Sequence, residues 1–435
     1  MKRIITTAVL AIFISLPVSA PAQTTGDVRL TFEEAVIRAL AVNNTVERSR
    51  AEIDVAEAQR SFLLSAVMPR ISIDGALTRN SIEQSFGEGP DAITILPRND
   101  WNYTLKLSQP IFAGRRELRA YSQAKLGIEN AKQGAFGTED ATLLRVASSY
   151  LALVNAGARL DIERKNIELA ERRRTQAQAF FEAGEVTRVD VLRAETAVKG
   201  AQRVSAGAEQ LRENAESDLR EALDIDGDIE PVAPVRATPP VPDEAALMVR
   251  AAENRPDVEV AENNLRIAKL EISKQRGFWF PVVTLDGGMV NQKTPFPANR
   301  YTYGSLRFNV PLFQSGEVFA RVAGARSREL QAELDLQSIR LTAREDVRRA
   351  LAALRSAETS LGLAREQLQA AEAEYTQSFE LYRAQEATSL DLSTSEQSLA
   401  EARRAIAEET LNRELAELRV WYAAGAIKEA LGVIR

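Results

Sequence analysis

The sequence predicts a mainly α-helical chain carrying a small membrane β-barrel, and three observations predict it. The 435 residues are rich in Ala, Glu, Arg, Leu and Gln and 27% charged, a mixture that favours long helices. The chain writes one plan twice, helix–strand–strand–helix–helix, at a near-constant offset. Four short stretches alternate oily and polar side chains with period two, while no later apolar run is long enough for a spanning helix.

Residues 1–22 read as an export signal. Lys2 and Arg3 form its charged start, Ile4 to Leu16 its apolar core, and Ala20-Pro21-Ala22 its cleavage site. Zero Cys and zero His exclude disulfides, cysteine-linked lipid anchors, thiol nucleophiles, histidine acid–base chemistry and the common zinc sites. The net charge of −6, with Arg spread among Glu, leaves no basic stripe for nucleic acid. No phosphate-binding GxxxxGK[ST] occurs, and the expectation is neither an enzyme nor a cofactor or metal site.

The first repeat spans 23–224 and the second 243–425. A Pro-rich connector (225–242) divides them, and a tail (426–435) follows. SIDG at 72–75 returns as TLDG at 284–287, QPIF at 109–112 as VPLF at 310–313, and Asp190 as Asp391. Each repeat starts with an amphipathic helix (about 31–67; 243–276) and two strands (about 71–79 and 101–109; 282–290 and 301–310). A very long helix follows (about 115–183; 316–384), then a polar turn (about 183–188; 384–389) and a second helix (about 187–223; 388–424). Stacked end to end, the two shorter helices match the long one in a column about 100 Å tall. Gly134 and Gly137 weaken the expected continuity of the first long helix.

Val347, Leu354, Leu361, Leu368, Tyr375 and Tyr382 stand seven apart, accompanied by the small row Ala350, Ala357, Ala364, Ala371 and Ser378. The first repeat echoes both rows, interrupted at Arg174 and Glu163. Such spacing specifies left-handed coiled-coil packing with close helix approach. A helical rod would satisfy it equally.

The strands separate rod from channel. Trp101, Tyr103, Leu105 and Leu107 share one face; Asn102, Thr104, Lys106 and Ser108 share the other. Ile71, Ile73 and Leu77 oppose Ser72, Asp74 and Thr78, and Val283, Leu285 and Met289 oppose Thr284 and Asp286. The segment YTYGSLRFNV (301–310) shifts phase at Gly304-Ser305, where a bulge is expected. A soluble half-buried hairpin shares this alternation. Strand length and end-placed aromatics favour lipid: Trp101, Tyr103, Tyr301 and Tyr303 form one girdle, and Phe112, Phe278, Trp279, Phe280 and Phe313 the other. Asp74, Lys106, Asp286 and Arg307 are then expected on the lumen side. Four strands are too few to close a barrel, so copies must pool them. Segments 81–100 and 292–300 are the expected outer loops.

Taken together, LTFEEAVIRALAVN (30–43), AGEVTRVDVLRAE with its echo, and the two P-[IL]-F sites resemble the TolC-type outer-membrane efflux family. That resemblance implies a homotrimer whose 12-stranded barrel sits in outer-membrane lipid above a coiled-coil tunnel of helices. It also implies a periplasmic adaptor and an inner-membrane pump of RND or ABC type, in tripartite efflux or type I secretion. The polar turns would form the periplasmic entrance, with Gly184, Asp190, Tyr382, Asp391 and Thr394 as gate or docking residues. Ala387 stands where the family's lock has an arginine. Helix capping is the competing account of Asp190 and Asp391. Gly184 allows a positive-φ bend that Gln385 does not easily adopt, so the two turns are expected to differ. A periplasmic adaptor or a structural rod remains the alternative to a duct; the adaptor would need one hairpin flanked by β-domains.

Overall fold

A computed structural model describes residues 28–87, 89, 93–232, 239–295, 297–384 and 386–433. The export signal and Gln385 lie outside the described residues. The first half runs β1 (Val28–Leu30), α1 (Phe32–Val42), α2 (Asn44–Ser65), β2 (Arg70–Arg79), β3 (Gln84–Phe86), β4 (Ile93–Leu96), β5 (Asn99–Ala113), α3 (Arg116–Glu182), α4 (Arg188–Leu223) and β6 (Ile229–Pro231). The second runs α5 (Glu244–Asn254), α6 (Pro256–Arg276), a 3-10 turn (Gly277–Trp279), β7 (Val282–Gln292), β8 (Arg300–Asn309), α7 (Glu317–Arg383), α8 (Ser389–Ala423) and α9 (Ile427–Ala430).

The opening helices of both halves are broken where one continuous helix was expected. At Asn43 the backbone turns extended, and its side chain caps Thr45 and Val46 at 2.9 and 3.4 Å. The Asn43 amide also donates to the Ala222 carbonyl at 2.9 Å, fixing the break against α4. In the second half Pro256 takes the first helical position and holds Arg255 extended. The feared break in α3 does not occur. It is unbroken over 67 residues, with Gly134 facing open space and Gly137 lying against Pro256.

The main sheet has order β2-β5-β7-β8, antiparallel throughout, so β5 and β7 join the two repeats. Sequence reading missed the β3–β4 hairpin inside the first outer loop and the parallel β1–β6 pair, whose second strand lies within the connector. Two apolar cores lie where these helices meet. One surrounds Tyr150, packed edge-on at 5.4 Å against Phe32; the other surrounds Trp421. Toward the helical turns the seven-residue rows continue as the core: Val347, Leu354, Leu361, Ala364, Ala371 and Tyr382 are buried.

Candidate channel wall and helical tip

Cross-strand partners share a face, so the register assigns every sheet side chain. One face carries Ile71, Ile73, Leu77, Trp101, Tyr103, Leu105, Leu107, Leu285, Met289, Leu306 and Phe308. It is bare: Ile71 is 74%, Leu77 81% and Phe308 74% exposed. The other face carries Asp74, Lys106, Asp286 and Arg307. Asp286 is almost wholly enclosed, with Arg307 Nε at 2.7 Å and Lys106 Nζ at 3.9 Å. Asp74 stands apart and accepts from Ser72 at 3.3 Å.

Two expectations need correction. The register from Val282↔Asn309 to Asn291↔Arg300 is uninterrupted, so no bulge forms at Gly304-Ser305; the irregularity lies at Pro110/Phe112. Without that bulge the pleat carries Tyr301 and Tyr303 onto the face of Lys106 and Asp286, opposite Trp101 and Tyr103. Tyr303 covers Gly288 there, and a Cβ on Gly288 would stand 2.7 Å from its ring. Tyr301 and Tyr303 therefore belong to the polar wall rather than to a girdle. Trp101 and Tyr103 remain outward, rings 5.5 Å apart, and Trp279 packs edge-on at 5.4 Å against Phe319.

Strand meets helix in a backbone knot. Gly114 has φ +67°, and a Cβ there would stand 2.0 Å from the Gly277 carbonyl oxygen. Only glycine fits.

The turn after α3 is a Schellman motif. Gly184 takes φ +78°, with Glu185 N–H donating to Phe180 and Gly184 N–H to Phe181. The matching Glu386→Leu381 bond closes the turn after α7. Both return helices open with capping boxes: Asp190 accepts from Thr187 Oγ1 and Asp391 from Thr388 Oγ1, each at 2.7 Å. Capping is thus the role both aspartates play within one chain. Asp190 additionally accepts from Ser389 Oγ at 2.6 Å, tying the two turns together. Thr394 bonds back to the Leu390 carbonyl. Tyr382 is buried, its ring 6.0 Å from that of Phe180. Ala387 supplies no side-chain hydrogen bond.

Two ion pairs that sequence reading missed join α3 to α8 behind this tip. Arg173 binds Glu396 at 2.9 Å and the Ser389 carbonyl at 3.1 Å; Arg404 binds the fully buried Glu163 at 2.5 Å. Glu163 interrupting a small-residue row was the available signal, because that row faces inward.

The electrostatics set an acid limit. Ser389 and Thr187 hydroxyls hold the Asp190 carboxyl below the usual range, and Thr388 does so for Asp391. Bonds of this kind persist above the unfolded carboxylate range and fail as pH falls through the depressed value. Burial pushes Glu396 up, against the pull of Arg173, so its protonation relieves desolvation instead. Spin labels at Ala183 and Ala384 are expected to keep their separation from about pH 7 to 5 and to part only below about pH 4. Parting at pH 6 would contradict this assignment.

Long paired helices joined to an open four-stranded sheet with one bare oily face define the class of fold. Among the described residues no helix is long and apolar enough to span a membrane. The family model for outer membrane efflux proteins matches residues 36–224 and 247–426, and the chain belongs to that family. It is 25% identical over 360 residues to protein CyaE of Bordetella pertussis, covering 80% of this chain and 73% of CyaE. It is 23% identical over 415 residues to the probable efflux pump outer membrane protein TtgC of Pseudomonas putida, covering 90% and 82%. Its fold matches a crystal structure of CusC with TM-score 0.81 at 17% identity, covering 94% of this chain and 95% of that one.

Proposed function

We propose that three copies form an outer-membrane exit duct, each supplying four strands to a 12-stranded barrel and four helical columns to a tunnel in the periplasm. The observation that carries this reading is the open sheet. Among the described residues β2 and β8 each pair on one side only, while the sheet's outer face is oily from end to end. In lipid an unpaired backbone group costs several kcal/mol, and neighbouring copies supply the missing partners. The enclosed Asp286–Arg307–Lys106 cluster and the inward Tyr301 and Tyr303 then line a wet lumen.

The duct is passive. A periplasmic adaptor and an inner-membrane pump supply energy and choose the cargo, and residues 1–22 direct export before removal. Tyr382 and Asp391 narrow the entrance, Asp391 by projecting its carboxylate toward its symmetry copies. With Ala387 in the lock position, closure rests on the packed Tyr382 ring and the tie between Asp190 and Ser389. The TtgC similarity supports the efflux setting. Mass measurement of the detergent-extracted protein is expected to give a trimer; a stable monomer that stays in solution without detergent would refute the duct.

A further inference from the structure

Four arginines surround the Gly114–Gly277 knot at the helical end of the oily face. Arg115 and Arg116 open α3, Arg119 lies one turn on, and Arg276 closes α6. A Cβ on Gly277 would meet Arg116 Cγ at 2.5 Å, so these segments touch. Arg116 and Arg321 both stack on Phe278, at 4.4 and 4.7 Å from its centroid. Arg321 is neutralised by Glu317 at 2.5 Å, whereas Arg115, Arg116, Arg119 and Arg276 have no carboxylate in ion-pair range among the described residues. Gathering four like charges is unfavourable. For three of them the dipole of α3 adds to that cost, so helix stability does not explain them. Arg70, exposed at the start of β2, adds a fifth cation at the same end of the sheet. Around them stand Phe112, Phe278, Trp279, Phe280 and Phe313, with Phe112 and Phe280 edge-on at 6.3 Å.

We infer that this collar binds the phosphodiester headgroups of anionic glycerophospholipids in the leaflet facing the helices. The inference rests on the membrane reading above. Guanidinium forks match phosphate oxygens, and interfacial aromatics seat the adjoining glycerol and acyl segments. Charge selects anionic over zwitterionic lipid.

The test is native mass spectrometry of the detergent-purified trimer titrated with phosphatidylglycerol, phosphatidylcholine or inorganic phosphate. Phosphatidylglycerol is expected to bind about tenfold tighter than phosphatidylcholine, and millimolar phosphate not to displace it. Arg115→Gln and Arg276→Gln, both at exposed side chains, are expected to weaken binding about fivefold each. Arg116→Lys, which keeps the charge but loses the fork, is expected to fall between. Equal affinity for the two lipids, unchanged affinity in the variants, or displacement by free phosphate each overturns the proposal. A trimer without lipid preference sinks the collar alone; failure to form a trimer sinks the duct.

Discussion

Gly114→Ala is expected to abolish the assembled protein. Alanine at φ +67° costs about 1–2 kcal/mol, and its Cβ would lie 2.0 Å from a backbone oxygen of Gly277. Neither backbone can yield cheaply, because one enters α3 and the other leaves α6. Overpacking adds a further 1–3 kcal/mol or so. Gly134→Ala is the control, since Gly134 lies inside α3 in open space. It is expected to stabilise by about 0.5–1 kcal/mol. Thermal unfolding and the yield of oligomer read both outcomes. A Gly114→Ala protein that assembles normally would show that strand and helix do not meet through this knot.

Arg173→Leu is expected to have the second largest effect. It strips the partner from Glu396 and a donor from the Ser389 carbonyl, both enclosed between α3 and α8. Leaving a buried charge unpaired costs about 3–5 kcal/mol. The loss falls at the tip, so single-channel conductance should rise and protease should nick the turns. Arg173→Leu combined with Glu396→Leu should recover most of the stability, because no unpaired charge remains. If the single variant unfolds and conducts as the parent does, the pair does not hold the tip.

The long helices were legible because a seven-residue period repeats often enough to survive its breaks at Arg174 and Glu163. The strands were legible by alternation wherever apolar residues marked one face. Tyr301 and Tyr303 were misassigned because Gly304 carries no side chain to report the phase, and the unbroken pairing of β7 with β8 supplied it. The helix breaks escaped notice for a different reason. Asn43 is a permissible interior residue until its amide finds Ala222, 179 positions away. Likewise Arg173 and Glu396 resemble any solvated pair on a charged helix; only the packing of α8 on α3 makes them interior.

Among the described residues, α3 and α7 are the helices that run whole from the sheet to the turns. Any torque applied at the turns therefore reaches the sheet along those two shafts. Their companions α4 and α8 stop partway, and α8 is yoked to the first shaft through Arg173–Glu396 and Arg404–Glu163, so a twist at the turns is shared between them.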